Sequence, residues 1–299
     1  MQPQAQGDFL DVHALLERSQ PRLHGNVLWV VAGAFLLVVL VSSFASAQSP
    51  ALEALVRVLS AVAMLGVIGV IGAMMAVTWM AVKRQRGEMQ QLEAVAELVQ
   101  LRRWPEAAYV LRGLLSQPTR TPAARVQGLI FLATVLARYH RFADAILVHE
   151  HLLDHVNLDD STAHALRLGR AMAMLREDRL FDADRAIAEL RRTRQQSSPS
   201  AGLALVEMYR DVKTGHPAEA IEMFEANLDV MRDQLGHRVG DAWALAARAH
   251  DLLGQEADAH RAFERATVLA PIIELLRRYP EIAPLAQKFA PAPAPPEVA

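Results

Sequence analysis

Alanine recurs in this chain with a period. Ala107, Ala145, Ala183, Ala220 and Ala259 are separated by 38, 38, 37 and 39 residues, and similar chemistry surrounds each of them. An apolar segment of helical periodicity comes first, a short turn follows, and the alanine then opens a second amphipathic segment. A period of this size marks a stacked array of helical hairpins. One hairpin cannot bury its own apolar face, so its neighbours must cover it.

The last unit is the clearest, with Trp243, Ala246, Ala247, Gly254, Ala259, Phe263, Ala266 and Pro271 in order. It resembles the tetratricopeptide repeat, which places a large residue, a small residue, a turn glycine, an alanine, an aromatic, a second alanine and a proline at these offsets. The unit at Ala220 has Gly215 and Phe224 in the matching places, and the one at Ala145 has Ala133 and Phe142. The unit at Ala107 has Trp104 and Pro118, while that at Ala183 keeps only Ala171, Leu180 and Leu190. The resemblance covers residues 88–271 and departs from the family in its period, which is about 34 residues there. It implies an all-α solenoid of about five hairpins. The alanines would sit where two helices cross, Phe224 and Phe263 would fill the gap to the next hairpin, Gly215 and Gly254 would supply the turn, and Pro271 would end a helix.

Ahead of the array the chain is strongly apolar, which accounts for a mean hydropathy of +0.13. Residues 27–47 and 58–82 carry no charge. At about 1.5 Å per residue each run is long enough as a helix to cross a hydrocarbon core of about 30 Å. The link between them is short and contains Pro50. A transmembrane hairpin is the expectation. Lys83, Arg84 and Arg86 follow the second run and Arg18 and Arg22 precede the first, whereas the link carries only Arg57, so both termini are expected in the cytoplasm. Trp29 and Trp79 fall at the same interface. Ala45-Ser46-Ala47 offers the rival of a cleaved leader, against which stand the long run and the acidic Asp8, Asp11 and Glu17 before it. Gly66, Gly69, Gly72 and Ala73 give the second run a small-residue face, suited to packing on the first run or to self-association as a homo-oligomer. An Arg-rich, Lys-poor, Ala-rich composition suggests a bacterial inner membrane.

The expected order is therefore an N-terminal segment (1–24), the membrane hairpin (25–82), the array (83–271), a capping helix (272–289) broken by Pro280 and Pro284, and a Pro/Ala-rich tail (290–299) without fixed structure.

Catalytic signals are sparse. The absence of cysteine rules out disulfides, thiolate metal sites and a thiol nucleophile, and a net charge of −2 argues against nucleic acid as partner. No phosphate loop, dinucleotide fingerprint or serine elbow is present, and no cofactor is expected. His149, Glu150, His151 and His155 suggest a zinc-dependent hydrolase, but Leu153 stands where a metallopeptidase helix needs histidine. Asp159-Asp160 and Glu177-Asp178 fall where helices start or turn, where carboxylates cap backbone N–H groups. Arg191, Arg192 and Arg194 read as a solvated helix end.

By the resemblance, a groove is lined by the first helix of each hairpin. It would include Thr134, Arg138, Met172, Arg176, Tyr209, Lys213 and Arg248. Arg138, Arg176 and Lys213 share one repeat position and would form a basic column able to hold an acidic peptide or a terminal carboxylate. Cations at helix C-termini also offset the macrodipole without binding anything. The asparagines of the family's carboxylate clamp are missing at these positions. The expectation is a non-catalytic, membrane-anchored adaptor for proteins or peptides. A self-associating envelope component is the alternative.

Overall fold

The computed structural model describes residues 10–20, 33, 50–119, 121–193 and 200–289, without the side chains of much of 50–84. Apart from Gly33, the first apolar run lies outside this set, as do Arg194 and the tail. The chain divides into two compact units, 1–139 and 140–299. All regular structure among the described residues is helical.

The first unit holds α1 (Val12–Arg18), α2 (Pro50–Gln100), α3 (Trp104–Leu115) and α4 (Pro122–Arg138). α2 is 51 residues long and runs without interruption through residues 82 and 83, so the expected boundary there has no break in the backbone. It begins at Pro50, so most of the expected link is helical, with proline at the end that tolerates its missing N–H. Among the described residues no helix is long and apolar enough to cross a membrane. Within 58–82, Met75 and Trp79 are 70% and 73% exposed. The C-terminal part of α2 packs with α3 and α4 around Leu92, Val95, Ala107, Leu111, Leu115, Leu129 and Leu132. α1 is capped by Asp11, whose side chain accepts from the Ala14 N–H, and it packs on α3.

The second unit holds α5 (Phe142–His155), α6 (Asp160–Arg176), α7 (Leu180–Thr193), α8 (Ala201–Thr214), α9 (Pro217–Leu235), α10 (Val239–Leu252) and α11 (Glu256–Leu269). Two short helices follow, α12 (Ile272–Arg278) and α13 (Ala283–Phe289). Consecutive helices pack as stacked antiparallel pairs, and α6 also meets α8 while α8 meets α10. First helices of successive hairpins thus share a face, as a repeat array requires. Ala183, Ala220 and Ala259 are fully buried, as Ala107 and Ala145 are. Phe224 meets Trp243 of the next hairpin edge-on at 4.7 Å, the gap-filling role expected of it.

The turn within each hairpin is the same at every repeat. Gly215 and Gly254 adopt φ of 78° and 73°, as expected of turn glycines. Arg102, His140 and Asp178 adopt φ of 58°, 59° and 60° at the equivalent positions. The left-handed residue therefore always stands five before the registry alanine. It reverses the chain so that the following N–H returns to the preceding helix, as Arg103 does to Leu98 at 2.8 Å and Arg179 to Met174 at 3.0 Å. An acid precedes every registry alanine: Glu106, Asp144, Asp182, Glu219 and Asp258. In the first three repeats it pairs with the arginine that follows the left-handed residue and precedes the second helix, at 2.9, 2.6 and 2.7 Å.

Candidate functional site

The expected groove residues take different places. Thr134 is exposed and its Oγ1 donates to the Ile130 carbonyl at 3.0 Å. Arg138 belongs to the first unit and lies over the Trp104 ring, 5.3 Å from its centroid. Met172 packs against the core of the second unit. Arg248 pairs with Asp251 of its own helix at 2.5 Å. Arg176, Tyr209 and Lys213 are brought together, on the face shared by α6 and α8.

That face is not open. The C-terminal segment does not continue as one capping helix. α12 stops at Arg278, Tyr279 turns extended (φ −136°, ψ 79°), and Pro280–Ile282 form a single 3₁₀ turn before α13 begins. Proline lacks the N–H that an α-helix would use here. The interruption carries Tyr279 and Glu281 onto the helices. The Tyr209 hydroxyl donates to the Glu281 carboxylate, 3.0 and 3.1 Å from its two oxygens. Lys213 Nζ lies 3.0 Å from Glu281 and 2.5 Å from Asp178, and it donates to the Leu175 carbonyl at 2.8 Å. Tyr279 is fully buried, edge-on to Tyr209 with 5.0 Å between ring centroids. Arg176 lies between two rings, 5.7 Å from that of Tyr279 and 5.9 Å from that of Phe142. Burial, with the negative charge of Glu281 beside it, pushes the Tyr209 hydroxyl above its ordinary range. Tyr279 is pushed up in the same direction by burial and by Asp241.

The segment is held on both sides. Arg278 donates to Asp241, a fully buried carboxylate in the first turn of α10, at 2.5 Å. Lys288 of α13 reaches Glu256 of α11 at 2.9 Å. Among the described residues, Arg176 Nε and the Tyr279 hydroxyl on this face are buried with no hydrogen-bond partner.

His149 is pressed against Gly169 of α6, where an added Cβ would sit 2.9 Å from the imidazole Cε1. Burial, with Arg170 nearby, pulls its pKa down to about 4. His151 and His155 stack on each other at 4.7 Å. Among the described residues no three histidines or carboxylates gather as a metal site. Asp159 caps α6, accepting from the Thr162 N–H at 3.0 Å. Arg191, read from sequence as part of a solvated helix end, ion-pairs with the buried Glu207. Of the small-residue face, Gly69 and Gly72 have nothing among the described residues within 4 Å of an added Cβ, and Gly66 and Ala73 lie outside the described side chains.

A second polar cluster ties α1 down in the first unit. Arg125 of α4 is buried; its Nε donates to Ser19 Oγ at 3.1 Å and its guanidinium to the Leu16 carbonyl at 3.0 Å. The Thr119 hydroxyl donates to the Ser19 carbonyl at 2.9 Å. Sequence reading missed Tyr279, Glu281, Asp241 and Arg125. Pro280 inside an otherwise helical pattern was the one signal pointing to the first two.

No protein-family model, no curated protein and no solved structure matches this chain.

Proposed function

We propose that the chain is a non-catalytic adaptor of tetratricopeptide-like build, anchored by a membrane hairpin at 27–47 and 58–82, with both termini and the helical array in the cytoplasm. The uncharged runs carry the anchoring, and the observation that puts both flanks of the hairpin on one side is the Arg125 cluster. It bonds a helix that precedes the first apolar run to a helix that follows the second, across 106 residues. Two segments in direct contact lie on one side of a bilayer, so the chain between them crosses it an even number of times or not at all. The uncharged runs favour crossing, and Lys83, Arg84 and Arg86 favour the cytoplasmic side. A leader cleaved after Ala47 would remove α1 and with it the Ser19 and Leu16 bonds of the buried Arg125, which disfavours that rival.

The adaptor reading is supported by the recurring hairpins and by the face bearing Arg176 and Lys213. Arrays of this kind present extended surfaces rather than enclosed reaction sites. Partners are proteins or peptides bearing acidic groups. A second reading is self-association through the small-residue face of α2, Gly66, Gly69, Gly72 and Ala73, as part of an envelope complex.

Because the natural chain has no cysteine, single cysteines report topology directly. In spheroplasts, cysteines replacing His13 and Glu264 should resist a membrane-impermeant maleimide, while one replacing Gln48 should react. Labelling of residue 13 and residue 264 from opposite sides would overturn the anchoring. Affinity capture from the native membrane, compared between the natural chain and Lys213→Gln, tests the adaptor role. A partner set unchanged by the substitution would remove this face from it.

A further inference from the structure

We propose that Arg176, Tyr209 and Lys213 form a binding site for a peptide carrying an aromatic residue two positions before a carboxylate, and that Tyr279–Pro280–Glu281 is the resident occupant which such a peptide displaces. The inference rests on the adaptor reading and gives its ligand a chemistry.

The resident lies on the helices as a bound peptide would. Its backbone leaves the helical pattern only here, in one extended residue followed by one 3₁₀ turn. Every recognition element comes from elsewhere in the fold: Glu281 is 72 residues from Tyr209, whose hydroxyl donates to both carboxylate oxygens. Lys213 adds a charge at 3.0 Å, and charge-assisted bonds of this kind supply both strength and selection for an anion. The aromatic subsite is made by Tyr209 and by the Arg176 guanidinium, 5.0 and 5.7 Å from the Tyr279 ring.

The resident is also an incomplete ligand. Arg176 offers five N–H donors and takes rings instead of an acid; among the described residues its buried Nε has no acceptor and the hydroxyl of the fully buried Tyr279 has no partner. No carboxylate pairs with Arg176 among the described residues. Buried polar groups left without partners are destabilising. An incoming chain that keeps the carboxylate at Lys213 and sets a second acceptor against Arg176 makes a bond the resident lacks. Tethering favours the resident, because a segment joined by a short linker acts at an effective concentration of about millimolar. The face is therefore shut to weak or scarce acidic peptides and opens to tight or abundant ones.

The test uses the purified full-length chain in detergent and a fluorescent peptide with the sequence of residues 275–285. The Tyr279→Ser/Glu281→Gln chain, in which the resident is weakened, should bind this peptide at least tenfold more tightly than the natural chain does. A peptide with glutamine at the position of Glu281 should bind at least tenfold more weakly than the natural sequence. Lys213→Gln added to the weakened chain should abolish binding. Absence of peptide binding by a weakened chain of unchanged helicity overturns the proposal, as does equal binding of the glutamate and glutamine peptides. Collapse of the weakened chain also overturns it, since the segment would then be core rather than occupant. Peptide binding is read without membranes or partners, so its failure leaves the adaptor reading to the capture experiment.

Discussion

At the scale of single residues, two positions expose the forces most directly. Gly254 sits at φ 73° with open space where a Cβ would go, so substitution there meets only the backbone preference. Gly254→Ala should destabilise the second unit by about 1 kcal/mol, read as a fall in the urea midpoint at unchanged slope. His149 shows what burial does to a base. It is neutral in the fold down to about pH 4, whereas its unfolded value is near 6.5. The unfolded chain therefore binds the extra proton between those values, and stability rises with pH through that window. Above pH 6.5 the group has no effect. Falling from there to pH 4, it removes up to about 3 kcal/mol. A His149→Gln chain should lose stability less steeply across pH 6.5–4 in denaturant titrations. An unchanged slope would show that other groups govern the acid limb.

The hairpins are determined mainly by how closely their helices approach. Alanine at each crossing was legible because its small size at a fixed interval is a local pattern. The left-handed turn was legible only at Gly215 and Gly254, where composition announces it. At Arg102, His140 and Asp178 the same conformation is imposed on residues that resist it, and hairpin packing offsets a strain of about 1 kcal/mol at each. The fuller signature, a turn residue followed five places on by acid-flanked alanine, emerges once those backbones are aligned. Close approach recurs between α5 and α6, where Gly169 admits the His149 ring. Gly169→Ala should cost about 1–3 kcal/mol by overpacking, and pairing it with His149→Ala should recover much of that loss. Thermal melts of the two single variants and the double variant measure the coupling; additive losses would show that the two residues do not press on each other.

For the whole chain, the long-range polar contacts decide what the hairpins alone leave open. Arg125 holds α1 through Ser19 and Leu16, with Thr119 closing the cluster. Arg125→Met should release α1, leaving the Ser19 hydroxyl and the Leu16 carbonyl each one donor short, at a cost of about 1–3 kcal/mol. Limited proteolysis would then cut between residues 10 and 20 several times faster, with the array's helices unaffected. Equal cutting rates in the two chains would show that α1 is held by its apolar face alone.

All-helical architecture, the hairpin pitch, the packing roles of the alanines and of Phe224, and the break at Pro280 follow from sequence by itself. They depend on spacing, side-chain size and the missing proline N–H, all of which act over a few residues. The burial of His149, the clamp on α1 and the covering of Arg176, Tyr209 and Lys213 by Tyr279 and Glu281 were decided only by the tertiary structure. Their partners lie as far as 72 and 106 residues away, beyond the reach of any local period. A basic column at a repeated position is visible in sequence as a set of cations. Whether it stays open depends on where a helix break, two hairpins later, turns the chain.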